Sequence, residues 1–340
     1  MTSTDTDIRI TVTDSIASVG RSAWTELVDA CDAPVFHGYD FLRSVESSPL
    51  TYPSTAYYLL AHGDGGELVA ALPVFLQRTR DPFATGPGAD TVLDALVGNV
   101  WHCYDTRLLC RGPLSAWLVE QFWTALGDLA RDHRAQLWGL VNIAAREPLA
   151  QQLKAIGVEV EETVPRYRLP LADGPATLDE HLAGIGRASR RSLRQYARRA
   201  ERAGARITLR TGREALDDEV LGLCLSTADK HAPGYYPPDR LGALIESLGE
   251  SCRLLRIELD GTLLAVSVCL YDDTRMHAWA GGCRYPAELN WSPQYALFDA
   301  ELKAGFASGR PVLECGRRND EFKTRYGLQS YPLARAVQRR

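Results

Sequence analysis

The sequence predicts an α/β protein made of two halves that repeat one order of elements, each a mixed sheet flanked by helices, with a basic helical segment between them. Three observations predict it. The chain has 340 residues, 45% of them apolar and 24% charged, enough for two cores of ordinary size. A strand, two amphipathic helices and a β-hairpin follow one another near the start and again after residue 205. Each hairpin is then followed by a strand, a long helix and another strand, the pattern of a crossover in a mixed sheet. The division falls near residue 170, into 1–170 and 171–340, the second half including the basic helix 187–202.

In the first half, the alternation Ile8-Arg9-Ile10-Thr11-Val12 reads as a strand, and Ala23 to Cys31 and Tyr39 to Ser48 as helices. Thr55 to Ala61 and Leu68 to Gln77 are strands joined by His62-Gly63-Asp64-Gly65-Gly66, whose glycines suit a tight reversal. A Gly- and Pro-rich loop, Asp81 to Asp90, leads to a strand expected over Trp101 to Cys110. A helix from Ser115 to His133, a buried strand Ala135 to Val141, a short helix Pro148 to Ile156 and two strands over Val158 to Leu169 complete it.

The second half runs through Ala205 to Thr211 (strand), Asp217 to His231 and Pro238 to Leu248 (helices), and a hairpin of Cys252 to Leu259 with Thr262 to Tyr271 about Asp260-Gly261. Arg275 to Gly281 is the next strand. Ser292-Pro293 opens a helix to Ser308, as a polar N-cap followed by proline does. Pro311 to Cys315 (strand), Asp320 to Tyr326 (helical turn) and Tyr331 to Val337 (strand) follow.

Net charge is −5, so a polyanion partner has to use a local patch rather than bulk charge. The start, Met1-Thr2-Ser3-Thr4-Asp5-Thr6-Asp7, lacks the basic and apolar regions of a signal peptide, and no run approaches the roughly 20 apolar residues of a membrane span, so a cytoplasmic protein without a span is expected. The eight cysteines show no CxxC pair and no zinc-ligand spacing, so they read as reduced core residues and no metal is expected.

Residues 187–202 contain no glycine or proline and should be helical. Arg187, Arg191, Arg194, Arg198 and Arg202 recur at three- and four-residue steps and share a face, with Arg190 beside them. Such a row either pairs with carboxylates of this acidic chain or faces phosphates, as a tRNA-binding surface does.

Near the C-terminus, a buried strand ends in Glu314-Cys315-Gly316-Arg317, and Phe322-Lys323-Thr324-Arg325-Tyr326-Gly327 follows on a helical turn. These residues resemble the signature of the Fem-type (FemABX) aminoacyl and peptidyltransferases and BioF2-like acetyltransferases, a strand ending in Asp/Glu-x-Gly and then Phe-Lys-x-x-Phe/Tyr-Gly. Pro34 to Arg43, the arginine helix and Thr227-Ala228-Asp229-Lys230 agree with it. The resemblance implies two tandem GNAT domains and an acyltransferase in which Lys323, next to Phe322, stabilises charge on the donor carbonyl as an amine attacks. It implies acceptor phosphate binding by Lys230, with Arg43 as a partner, although lysine stands where the family has arginine, and the following His231 to Tyr236 departs from its Gly-Phe. Tyr236, Arg317, Trp279 and Tyr104 are candidate substrate-binding residues. Trp279 is also a candidate core aromatic, and Asp105 is either an acceptor of the amine proton or a turn residue.

CoA-dependent GNAT enzymes grip pyrophosphate on a glycine-rich turn leading into a helix, where backbone N–H groups stand open. The corresponding segment, Cys283 to Pro293, carries two prolines, an acid and bulky side chains instead. With the arginine helix, this favours aminoacyl-tRNA as co-substrate and an amine acceptor such as a peptide, natural-product intermediate or cell-wall precursor. Acyl-CoA as donor is the alternative, and a non-catalytic tRNA- or peptide-binding module the third reading. No resident cofactor is expected.

Overall fold

A computed structural model describes residues 9–51, 53–84, 91–98, 102–230, 232 and 234–340. The expectations for Met1–Asp7, Ile8, the 85–90 part of the first-half loop, Trp101, His231 and Pro233 lie outside these residues. In chain order the elements are β1 (Ile10–Thr13), α1 (Ile16–Val19), α2 (Arg21–Ala30), α3 (Tyr39–Ser47), β2 (Ser54–His62), β3 (Leu68–Arg80), β4 (Val92–Gly98), β5 (Leu109–Cys110), α4 (Ala116–Asp132), β6 (Leu137–Ala144), α5 (Pro148–Ala155) and β7 (Glu161–Pro170). There follow α6 (Leu178–Gly184), α7 (Arg187–Arg202), β8 (Arg206–Thr211), α8 (Gly212–Ala215), α9 (Asp218–Asp229), α10 (Pro238–Ser247), β9 (Cys252–Leu259), β10 (Thr262–Tyr271), β11 (Arg275–Cys283), α11 (Pro293–Ala307), β12 (Val312–Arg317), α12 (Asp320–Arg325) and β13 (Gln329–Arg339).

The chain divides into two units, Met1–Val164 with Pro332–Arg340, and Pro165–Tyr331. This differs from the expected division at 170/171, and from the assignment of the whole C-terminus to the second half. The reason is strand pairing. Residues of β7 from Arg166 to Pro170 pair with β12, and residues of β13 from Leu333 to Arg339 pair with β6.

In the first unit the strand order is β1-β2-β3-β4-β6-β13, with β4 and β6 parallel and the other neighbours antiparallel. The crossover from β4 to β6 is α4, capped by the Ser115 hydroxyl, which accepts from the Leu118 N–H. Phe122, Leu126, Leu140, Ile143 and Ala336 belong to its core. The strand expected over Trp101 to Cys110 is a correction. Among the described residues only β5 and a bridge from Thr106 to Ile143 form there, because β4, in a stretch left unassigned from sequence, occupies the parallel place beside β6.

In the second unit the order is β7-β12-β11-β10-β9-β8, with β11 and β12 parallel and the rest antiparallel. The β9–β10 hairpin turns on Asp260 and Gly261, both at positive φ (50° and 79°), the backbone that a two-residue hairpin turn requires. The crossover is α11, entered through Ser292 and Pro293. Its core gathers Tyr167, Leu169, Leu255, Met276, Phe298, Leu313 and Tyr326. Among the described residues no helix is long and apolar enough to cross a membrane.

Candidate active site

The parallel strands of the second unit define the site. β11 and β12 pair only at Arg275 with Val312, Met276 with Leu313 and His277 with Glu314, although both strands continue beyond. From there they part, so that Trp279 on one and Arg317 on the other lie past the last paired residues. The pairing of β12 with β7 also shifts register between Glu314 and Arg317, where Gly316 has φ +65°. A glycine adopts that left-handed backbone without the strain of a Cβ, which gives the Glu-x-Gly pattern its physical reason. Arg318 (φ 65°) and Asn319 (φ 57°) continue the bend and turn the chain into α12.

This bend aims Lys323 inward. The side chain is 8% exposed, its ammonium donates to the Arg317 carbonyl at 2.8 Å, and it lies 5.4 Å from the centre of the Tyr167 ring. Burial pushes its pKa below the ordinary lysine value, against the opposing fields of Cys315, Glu301 and Asp320. Phe322 packs against Tyr295, Phe298 and Tyr326, at 5.4, 5.0 and 4.8 Å between ring centres, and so anchors α12 to α11. Tyr326 is fully buried, and its hydroxyl donates to the Ser189 carbonyl of α7. Gly327 has φ +81°, and a Cβ there would stand 2.9 Å from the His181 ring. The Phe-Lys-x-x-Tyr-Gly spacing thus alternates anchor, charge, anchor and turn.

One residue that carries no signal in the sequence belongs with Lys323. Glu301, in the third turn of α11, is partly buried, and Ser267 of β10 and the Lys323 ammonium both favour the charged form of its carboxyl. Burial raises its pKa to about 7, and the serine and the lysine oppose that rise. A glutamate on a long helix makes no motif, so only the fold identifies it. Glu314 is also buried, at 0% exposure. Arg166 lies 3.8 Å away, and the glutamate makes no hydrogen bond among the described residues.

The aromatic candidates also meet. The rings of Tyr236 and Trp279 are 5.9 Å apart and those of Tyr235 and Tyr236 are 4.8 Å apart, while the Tyr235 hydroxyl bears electrostatically on Arg317. Burial lowers the Arg317 pKa. Lys230 is exposed at the C-terminus of α9 and acts on the Cys283 thiol, which burial pushes up to about 12.

Residues 187–324 match the family model described as acetyltransferase (GNAT) domain. FemX has a similar structure, with a TM-score of 0.63 at 11% identity, covering 95% of this chain and 96% of that one. So does a tandem GNAT protein from the clavulanic acid biosynthesis pathway, with a TM-score of 0.57 at 12% identity over 98% of both chains. The fold is a tandem GNAT fold. A third similar structure is the C-terminal domain (DUF2156) described as that of a lysylphosphatidylglycerol synthetase from Agrobacterium fabrum, with a TM-score of 0.56 at 14% identity over 93% of both chains. No curated protein is significantly similar in sequence. The second GNAT unit therefore carries an acyltransferase domain, and its signature strand and helix hold Lys323.

The candidates in the first GNAT unit are placed as follows. Asp105 is 1% exposed, and its two oxygens accept from Nε and Nη2 of Arg107, each at 3.2 Å. Both oxygens of Asp105 are thus engaged by one guanidinium, the fork-to-fork geometry of an arginine–carboxylate pair. Tyr104 is buried, 5.3 Å from the Phe36 ring. Arg43 is half-exposed on α3 and pairs with Glu46 at 3.2 Å.

The arginine helix divides into two sets. Arg190 donates to the Leu182 and Ala183 carbonyls, Arg194 pairs with Asp179 at 2.6 Å, and Arg199 donates to the Asn290 carbonyl just ahead of α11. Arg187, Arg191, Arg198 and Arg202 are exposed and make no hydrogen bond or ion pair among the described residues. At 3.6 residues per turn these four fall within about 60° of one another over about 22 Å. Tyr196 of the same helix stacks on Tyr295 of α11 at 4.8 Å, and Tyr295 touches Phe322, so the basic face belongs to the helix group that holds the signature.

Proposed function

We propose that the chain is an aminoacyl-tRNA-dependent aminoacyltransferase. The acceptor amine attacks the ester carbonyl carbon, and a C–N bond forms as the bond from that carbon to the tRNA ribose oxygen breaks. The proton lost by the amine ends on the ribose hydroxyl. Lys323 stabilises the negative charge that grows on the carbonyl oxygen, where a compact ammonium in a buried site is most effective. Phe322 holds the helix that aims it. Lys230, Tyr236, Trp279 and Arg317 are the acceptor-binding candidates of the second unit, and the acceptor is a peptide, natural-product intermediate or cell-wall precursor.

The observation that carries this reading is the row of four unpaired arginines on a helix joined through Tyr196 and Tyr295 to the Lys323 helix. A row about 22 Å long suits successive phosphates of an RNA better than one pyrophosphate. The segment from Arg284 to Ser292 supports it, because it holds Pro286 and Tyr285 and no glycine where pyrophosphate needs close backbone approach. The resemblance to the Fem-type enzymes points the same way, and the lysylphosphatidylglycerol synthetase domain is described in terms of lysyl chemistry. An acyl-CoA donor is the second reading, favoured by the acetyltransferase family match over 187–324.

Product formation in an extract supplying tRNA, synthetases and candidate amines is the test. Ribonuclease should abolish it, and Lys323→Ala should lower kcat by about 100-fold or more without a change in melting temperature, the usual size of a lost oxyanion donor. Product that survives ribonuclease and follows added acyl-CoA would establish the second reading instead.

A further inference from the structure

Tyr285 is the most exposed large hydrophobic side chain among the described residues, at 57%. Its surroundings are held in place. The Arg284 N–H donates to the Leu264 carbonyl at 2.8 Å, and the Arg284 guanidinium pairs with Glu219 at 3.5 Å. The Leu289 N–H closes a turn on the Pro286 carbonyl at 3.2 Å, Trp291 is buried, and the Asn290 carbonyl accepts from Arg199 at 2.8 Å. The Tyr285 hydroxyl itself donates to Oε1 of Gln294, in the first turn of α11, at 3.3 Å. The segment between β11 and α11 is thus tied down along its length, yet it holds one aromatic ring out in water.

An exposed ring alone calls for no ligand, since apolar side chains are common on surfaces. What singles out Tyr285 is where its ties lead. Arg199 belongs to α7, and Arg198 beside it and Arg202 one turn on are two of the four open arginines. Gln294 precedes Tyr295, whose ring lies 4.8 Å from that of Tyr196 of α7 and 5.4 Å from that of Phe322, next to Lys323. The ring therefore belongs to the helix group that carries both the basic row and the signature lysine. Surfaces for unpaired nucleic acid combine these features: cations follow the backbone while bases stack on aromatic rings.

We propose that Tyr285 is a stacking platform for an unpaired base at the 3′ end of the donor tRNA. This rests on the reading of the chain as an aminoacyl-tRNA-dependent enzyme, and it names the part of the RNA that the surface tells apart from a paired stem. Within a duplex the faces of each base are covered by its neighbours, whereas an unpaired base can turn outward onto a ring. A charged tRNA carries its ester on the terminal unpaired nucleotide, so a base held at Tyr285 steers the strand that Lys323 must receive. Because the segment is fixed before the RNA arrives, little ordering is lost on binding.

Uncharged tRNA is the probe, in two forms: complete, and shortened by the unpaired nucleotides of its 3′ end. Dissociation constants at one salt concentration are compared for the intact chain, Tyr285→Ala and Tyr285→Phe, with a melting curve to confirm folding. The intact chain should bind complete tRNA about 10-fold or more tighter than the shortened form, the size of a base–aromatic contact. Tyr285→Ala should bring the two within about 2-fold by weakening the complete form, and should leave the salt slope unchanged because no charge is removed. Tyr285→Phe, which keeps the ring and loses only the Gln294 hydrogen bond, should keep most of the preference. Equal affinity for the two forms in the intact chain, a preference that survives Tyr285→Ala, or an equal loss for both forms overturns the inference while leaving tRNA binding intact. A Tyr285→Ala variant that loses affinity for CoA and not for tRNA overturns it too, assigning the ring to the second donor. Absence of binding to tRNA in either form overturns the aminoacyltransferase reading and this inference with it.

Discussion

At the scale of single residues, Glu301 bears on how stability depends on pH. Its carboxyl is held above the ordinary carboxylate range because burial disfavours the charged form more than Ser267 and Lys323 favour it. In the folded chain it keeps its proton up to about pH 7, whereas in the unfolded chain it loses it near pH 4 to 5. Between those values the native state binds more protons than the unfolded state, so its contribution to stability falls as pH rises through that window. Replacing the carboxyl by an amide of the same shape removes the titration. Glu301→Gln should match the parent in urea unfolding at pH 4.5 and exceed it at pH 8 by roughly 2 kcal/mol, since each tenfold gain in proton affinity on folding corresponds to ~1.4 kcal/mol and water at the partly exposed edge screens some of it. A variant less stable at pH 8 would mean that the carboxylate supports the fold.

At the scale of elements, the arginine helix and the signature helix form one construction. Ser189 and Tyr196 of α7 meet Tyr326 and Tyr295, and Tyr295 in turn meets Phe322. The open row of Arg187, Arg191, Arg198 and Arg202 is thereby fixed in place, while Arg190, Arg194 and Arg199 serve the fold. The two sets predict different behaviour. Arg191→Gln with Arg198→Gln should leave the melting temperature nearly unchanged, weaken tRNA binding, and reduce the slope of log K against log salt by about 1.4 to 1.8. Arg194→Gln removes an exposed ion pair worth less than about 1 kcal/mol and should alter that slope least. An unchanged slope in the double variant would return the open row to ordinary surface charge. The spacing of arginines was legible in the sequence because period and face follow from helix geometry alone. Which of them are tied down was not, since Asp179 and the Asn290 carbonyl are brought to the helix only by tertiary structure.

At the scale of the whole molecule, the repeated order of elements was readable because hairpins and crossover helices carry local signals, such as Asp260-Gly261 and Ser292-Pro293. The signature was readable for the same reason, each of its residues answering a local demand: a bend at Gly316, a charge at Lys323 and a turn at Gly327. The partner of each closing strand was not, because pairing across more than a hundred residues leaves no local mark. Leu333, Ala334 and Ala336 are fully buried in the first unit, and β13 pairs there with β6 from Leu333 opposite Ala144 to Arg339 opposite Leu137. Arg339 also holds both oxygens of Asp81. Gly139 of β6 has φ +140°, and a Cβ at that position would stand 2.1 Å from the Ala336 carbonyl oxygen, so the close passage of β13 demands glycine. Gly139→Ala therefore tests the pairing with one methyl group. It should destabilise the first unit by about 3 kcal/mol or more, combining backbone strain with a clash that no side-chain rotation relieves. Hydrogen exchange should show lost protection in β4, β6 and residues 332–339, while β9, β10 and β11 keep theirs, since the second unit has its own core. Unchanged protection of β6 in this variant, or in a chain ending at Tyr331, would show that the first sheet is complete without the C-terminal strand.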